Sequence, residues 1–144
     1  MRSTAQPPPA LDRDRVVSRL AGLLEGHAPP LAAAYLFGSV ARGEAKPWSD
    51  VDVGLLYSTD PPRTLAALPT ELTAELTHAL GAEVDLVVLN RAPVDLVHRV
   101  LRDGILVVDA DRSRRIAFEV ASRNAYWDLL PVLQRYRRPR TPPP

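Results

Sequence analysis

Apolar and polar positions along this chain switch between two periods, one near 3.6 residues and one near 2. From Leu11 to Gly26 the apolar residues Val16, Leu20, Leu23 and Leu24 fall at helical spacing, with Gly26 as a stop. Pro29-Pro30 breaks the chain, and Ala32 to Phe37 then predicts a short strand, apolar on both faces. A turn or short helix follows Gly38-Ser39, and a loop surrounds Lys46-Pro47-Trp48. Asp50 to Tyr57 predicts the second strand. Pro61-Pro62 opens a helix to about Leu80, with Leu65, Leu68, Leu72 and Leu76 as one stripe and Gly81 as its end. Glu83 to Leu89 predicts a third strand, and Val94 to Arg102 a helix with Leu96, Val97, Val100 and Leu101 inward. Gly104 separates that helix from a fourth strand, Ile105 to Val108, and a long helix from Arg112 to Arg137 closes the chain.

This order predicts an α/β fold, a sheet of about four strands covered by helices. The link between the first two strands is about a dozen residues, the lower limit for a parallel crossover, so the sheet is expected to be mixed. The proline-rich ends, residues 1–10 and 139–144, read as extended, poorly ordered tails around one domain spanning 11–138.

Composition narrows the function classes. With 144 residues, 46% of them hydrophobic and 24% charged, the chain suits a single ordinary globular core. There is no cysteine, so disulfides and thiolate metal sites are excluded. No apolar run approaches the roughly 18–20 residues of a membrane span, and Met1 to Ala10 lacks a signal-peptide h-region. A cytoplasmic location is expected. A net charge of +1 argues against nucleic acid as a direct partner. Between Arg112 and Arg140, however, eight arginines face only Glu119 and Asp128, making the C-terminal segment basic.

The second strand holds an anomaly. Aspartate is a poor strand former, yet Asp50 and Asp52 sit among Val, Gly, Leu and Tyr. Residues two apart on a strand point the same way, so these carboxylates project together and repel unless a hard cation neutralises them. A turn cap at Asp50 and a surface ion pair at Asp52 are the simpler alternative. Asp85, an acid among the aliphatic residues of the third strand, joins the cluster if its strand neighbours the second. Three carboxylates suit one or two Mg²⁺ ions holding a triphosphate and an attacking hydroxyl in line. Asp85 would then orient or deprotonate that hydroxyl; alone, it reads as an edge-strand acid facing water.

Gly38-Ser39 follows a buried strand directly, where a glycine lets backbone approach phosphate and the Ser hydroxyl can bind it. An ordinary Ser cap after a Gly turn is the alternative. A P-loop is excluded: Gly38 and Gly43 have its spacing, but Glu44-Ala45 stands where Lys-Ser/Thr is required.

Gly38-Ser39, ten residues, then Asp50-Val51-Asp52 resembles the signature of the polymerase β-like nucleotidyltransferase superfamily. The fuller run from Phe37 to Ala45, followed by Ser49-Asp50-Val51-Asp52, is similar to the minimal nucleotidyltransferase (MNT) antitoxins paired with HEPN toxins. The similarity continues through the Asp85 strand and Leu101-Arg102-Asp103-Gly104 to the terminal helix. It implies a nucleotidyltransferase fold with Asp50, Asp52 and Asp85 as metal ligands and catalytic carboxylates, and Gly38 and Ser39 as the nucleotide-phosphate loop. Arg42 matches a basic position that can touch phosphate or simply face solvent. The implied reaction moves AMP from ATP, with Mg²⁺, to a tyrosine hydroxyl of a cognate HEPN ribonuclease and silences it. Nucleotide transfer to a small molecule and a purely steric antitoxin are the rival readings, with a generic nucleic-acid-binding module behind them.

Other residues carry less. His27, His78 and His98 lie on separate elements without ligand spacing. Trp48 either walls the nucleotide pocket or covers the core edge. In the terminal helix, Ile116, Val120, Trp127 and Leu130 form one stripe, and Phe118, Ala125, Leu129, Val132 and Tyr136 a second. A helix covering its own domain needs only one, so residues 112–137 are a candidate surface for the toxin partner, a deeper burial or a homodimer being the alternatives.

Overall fold

The structure is a computed structural model, and it describes residues 11–137. Both proline-rich ends expected to be tails lie outside the described residues. Leu31–Phe37 (β1) runs through the middle of the sheet because it is apolar on both faces, buried from Leu31 to Leu36. It pairs antiparallel with Val51–Tyr57 (β2) on one side and with Ile105–Asp109 (β4) on the other. Val84–Val88 (β3) pairs parallel with β2. The strand order is β3-β2-β1-β4, a mixed four-stranded sheet as the short first link requires.

Helices cover both faces. Arg13–Leu24 (α1) and Thr70–Leu80 (α3) press Val16, Leu20, Leu24, Leu72 and Leu76 onto Leu36, Val51, Val53 and Leu55. Gly38–Ala41 (α2) is one short turn leaving β1. On the other face Val94–Asp103 (α4) packs Val97 and Val100 against Ala33, Tyr35 and Leu56, with Phe118 of Arg112–Arg137 (α5) beside them.

One expected helix is corrected. The segment after Pro61-Pro62 does not run continuously to Leu80: it forms a 3₁₀ turn at Leu65–Ala67, and α3 begins only at Thr70. Pro69 is the cause, since it pushes Leu68 into extended backbone (φ −68°, ψ 138°) and breaks the ladder. The expected stripe is cut accordingly. Leu72 and Leu76 are buried, whereas Leu65 and Leu68 are 86% and 56% exposed. The expected end of α3 holds, with Gly81 in the left-handed region at φ 66°.

Polar contacts pin α5 to the body. The Tyr35 hydroxyl donates to Glu119 Oε1 at 2.7 Å, and Arg115 donates to Asp109 at 2.8 Å and to Glu119 at 3.3 Å. Further along, the rings of His98 and Tyr126 stack with centroids 3.5 Å apart, joining α4 to α5. Pro131 lies within α5 and leaves the Trp127 carbonyl without its helical donor.

Candidate active site

The acidic residues gather where β1 leaves the sheet and β2 enters it. Val51, Val53, Leu55 and Tyr57 belong to the core beneath α1 and α3. Strand alternation therefore turns Asp52 to the opposite face. In β3, Val84, Leu86 and Val88 pack against that same core, which turns Asp85 to the Asp52 side. Asp52 and Asp85 are direct register partners across the parallel ladder. Asp50 lies one residue ahead of β2, which begins at Val51 and not at Asp50 as expected. Asp50 and Asp85 are exposed, and Asp52 is half-buried.

The electrostatics bind the three together. The Asp52 carboxyl is held above its ordinary value, first by burial, then by the negative charges of Asp85 and Asp50; Arg42 opposes this. Among the described residues no three His, Cys, Asp or Glu side chains are drawn together tightly enough to cage a metal. Their chemistry fits a hard divalent cation nevertheless. They are oxygen donors on one face of the sheet, and the charge raising Asp52 is the repulsion such an ion would relieve.

Gly38 sits directly under this cluster. Its φ of 77° is left-handed, and a Cβ there would collide with the Asp52 carboxylate, whose Cγ would lie 3.1 Å away. The chain thus turns from β1 into α2 against the acid, with the first-turn N–H groups of Gly38 and Ser39 free of helical partners. The glycine and the aspartates expected to act together are brought together.

Arg42 caps α2. It is exposed, and its Nε donates to Glu44 Oε2 at 3.0 Å. Its charge is nonetheless felt at Asp52 and at Asp103. Asp103, the last residue of α4, enters the sequence reading only within the run Leu101-Arg102-Asp103-Gly104, with no role given to it. Hydrogen bonds from Arg102 at 2.8 Å and 3.0 Å hold its carboxyl below the ordinary range, aided by the charges of Arg102, Arg42 and His98. Only the fold brings the end of α4 beside Arg42; no spacing in the chain announces it.

Trp48 is 77% exposed and does not cover the core edge. Lys46 Nζ stands 5.9 Å from its ring centre. His98 is engaged with Tyr126, and His27 and His78 stay on separate elements. No helix of the described residues is long and apolar enough to cross a membrane.

Comparison with known proteins agrees with this fold. Residues 20–113 match the family described as polymerase beta, nucleotidyltransferase. The protein adenylyltransferase MntA of Shewanella oneidensis is 34% identical over 87 residues, a stretch covering 60% of this chain and 60% of that protein. A chain of a toxin–antitoxin crystal structure with AMP-PNP superposes with TM-score 0.71 at 29% identity, covering 83% of this chain and 94% of the other. A chain from the complex of tri-AMPylated Shewanella oneidensis HEPN toxin with MNT antitoxin gives TM-score 0.67 at 27% identity, covering 86% and 94%. The mixed sheet, its helices and the long α5 are therefore those of a nucleotidyltransferase fold, and the chain belongs to the polymerase β nucleotidyltransferase family.

Proposed function

We propose that this protein is an antitoxin that transfers AMP from ATP to a hydroxyl, most naturally a tyrosine, of a HEPN-type ribonuclease toxin. The observation carrying this reading is the register pairing of Asp52 with Asp85 beside Gly38. The adenylyltransferase relative and the tri-AMPylated toxin in a similar complex support the choice of reaction and acceptor.

Asp50, Asp52 and Asp85 would hold one or two Mg²⁺ ions, which when bound neutralise triphosphate charge and polarise the α-phosphate. The N–H groups of Gly38 and Ser39 receive phosphate oxygens at the start of α2. Arg42 leaves Glu44 to meet the same charge. The Asp85 carboxylate, the most exposed of the registered pair, orients the acceptor hydroxyl and takes its proton. The acceptor oxygen bonds to the α-phosphorus, the bond to the β-phosphate oxygen breaks, and pyrophosphate leaves.

The toxin docks on α5. Ile116, Val120 and Trp127 share one helical face and are 42%, 50% and 64% exposed. This observation also favours a second reading, an antitoxin that acts by covering the toxin without chemistry. Asp50→Asn separates the two. Under the transferase reading, the intact mass of the toxin incubated with ATP and Mg²⁺ rises by whole AMP units with the wild type and stays unchanged with the variant. Equal protection of cells by both proteins favours the steric reading.

A further inference from the structure

β3 is an edge strand, paired with β2 alone. The Val51 amide donates to the Glu83 carbonyl at 2.9 Å, and Val51 stands opposite Val84. In a parallel ladder this turns the backbone groups of Glu83, Asp85 and Val87 toward β2, and those of Val84, Leu86 and Val88 outward. The Val84 amide is satisfied within the chain, donating to Thr77 Oγ1 at 3.3 Å. For the Leu86 N–H and C=O, the hydrogen bonds of the described residues supply no partner.

Exposed edges are normally blunted by shortness, charge (lysine above all), proline, a bulge or a covering element, and the one charge on this five-residue strand is Asp85. The sequence Val84-Asp85-Leu86-Val87-Val88 carries neither Lys nor Pro, and its pairing with β2 is regular. Beside it runs an open groove of about 740 Å³, lined by Thr73, Ala74, Thr77, Glu83 and Leu86 and reaching Asp85. The groove thus touches the candidate active site at one residue, Asp85.

We infer that this groove seats an extended segment of the acceptor polypeptide, added to the sheet as a fifth strand against the Leu86 backbone. The inference rests on the transferase reading above. Side chains of an added strand alternate, so the one level with Asp85 and on its face presents its hydroxyl to that carboxylate. The next residue on that face lies two positions away. There it meets Glu83, which is exposed and two residues before Asp85. The fitting segment therefore carries an arginine or lysine two residues from its hydroxyl.

The test uses the whole ¹⁵N-labelled chain and synthetic ten-residue peptides of Val and Thr with a central tyrosine and an arginine two residues away. Titration shifts the Leu86 and Thr77 amide resonances. Replacing the peptide arginine by glutamate weakens binding at least tenfold, and N-methylating the peptide backbone beside the tyrosine abolishes it. Ala74→Arg, an exposed change on α3 that fills the groove, raises the peptide Kd at least tenfold. A peptide that shifts these amides without accepting AMP upholds the docking site and sinks the transferase reading. A peptide that accepts AMP without shifting them overturns the docking site alone. No shift with any peptide, or shifts that depend only on protein concentration, as a second copy on the edge would give, also overturns it.

Discussion

Asp52 and Asp85 are register partners across the parallel β2–β3 ladder, so their carboxylates lie side by side on one face of the sheet. The Asp52 carboxyl is raised from its ordinary 3.8 by burial and by Asp85 and Asp50. A carboxyl raised on folding binds its proton more tightly in the native state. Its ionisation therefore lowers stability as pH rises from 3.8 through the raised folded-state value, and the penalty stands in full only above that value. Asp52→Asn removes that penalty. We expect the variant to melt higher at neutral pH, by about 2–4 °C for each kcal/mol recovered. The gain vanishes below pH 3.8, where Asp52 is protonated in both states. Millimolar Mg²⁺ should raise the melting temperature of the wild type and leave that of the variant unmoved, while AMP transfer disappears from the variant. Scanning calorimetry with and without the ion decides this; equal Mg²⁺ shifts in both proteins would remove Asp52 from the ligand set.

Gly38→Ala tests the turn beneath the acids. An L-residue at φ 77° costs about 1–2 kcal/mol, and its Cβ meets the Asp52 carboxylate. The damage falls on geometry more than on stability. Displacing a reacting carboxylate by an ångström costs roughly 10²-fold in rate. We expect AMP transfer to fall at least that far in steady-state kinetics, with the melting temperature lowered by several degrees. Unchanged kcat/KM would show that Asp52 tolerates displacement.

The fold was largely legible because burial writes a period into the sequence. Leu31 to Leu36 is apolar on both faces and became the central strand, and the short link to Asp50 foretold a mixed sheet, to which the antiparallel β1–β2 pairing contributes. The Asp50/Asp52 pair was legible for the converse reason, as acids at positions where a strand wants aliphatic residues. Asp85 was a conditional expectation, resting on a strand neighbourhood that the register then supplied. The break at Pro69 was missed because Leu65, Leu68, Leu72 and Leu76 keep helical spacing across a residue that forbids the helix. Asp103 and the edge groove were not legible, since both arise from elements distant in sequence that meet only in the sheet.

Tyr35→Phe tests the clamp on α5. The hydroxyl donates to a Glu119 carboxylate that is only 15% exposed and keeps Arg115 as its other donor. Loss of the bond should cost about 1 kcal/mol. Burial, the bond to Glu119 and its charge hold the Tyr35 proton well above the ordinary 10.0, Arg115 partly offsetting them. The unfolded chain gives up that proton near pH 10 while the folded chain keeps it, so stability falls as pH rises past that value. Tyr35→Phe removes this contribution. Urea unfolding at pH 8 and pH 11 should show a wild-type decline that the variant shares only in part. Identical declines would place the alkaline sensitivity elsewhere, with Tyr57, which burial also raises, the first alternative.

The exposed face of α5 yields the last prediction. Ile116, Val120 and Trp127 stand outside this chain's buried core and are 42%, 50% and 64% exposed. Polar replacement there should leave the melting temperature within about 2 °C, the range that surface changes of about ±0.5 kcal/mol produce. A protein partner seated on the face would lose far more. Truncating a tryptophan at the centre of an interface typically costs 2 kcal/mol or more, which is about thirtyfold in Kd. Trp127→Ala and Val120→Glu should therefore each weaken toxin binding by at least tenfold in calorimetric titration, with no cost to folding. The rim arginines make a second signature: Arg112 and Arg123 flank the face and are exposed, so association should slow as salt rises. Unchanged toxin affinity in both variants would place the docking surface elsewhere. If light scattering of the chain alone then showed a dimer that Trp127→Ala splits, the apolar face would belong to a second copy of this protein.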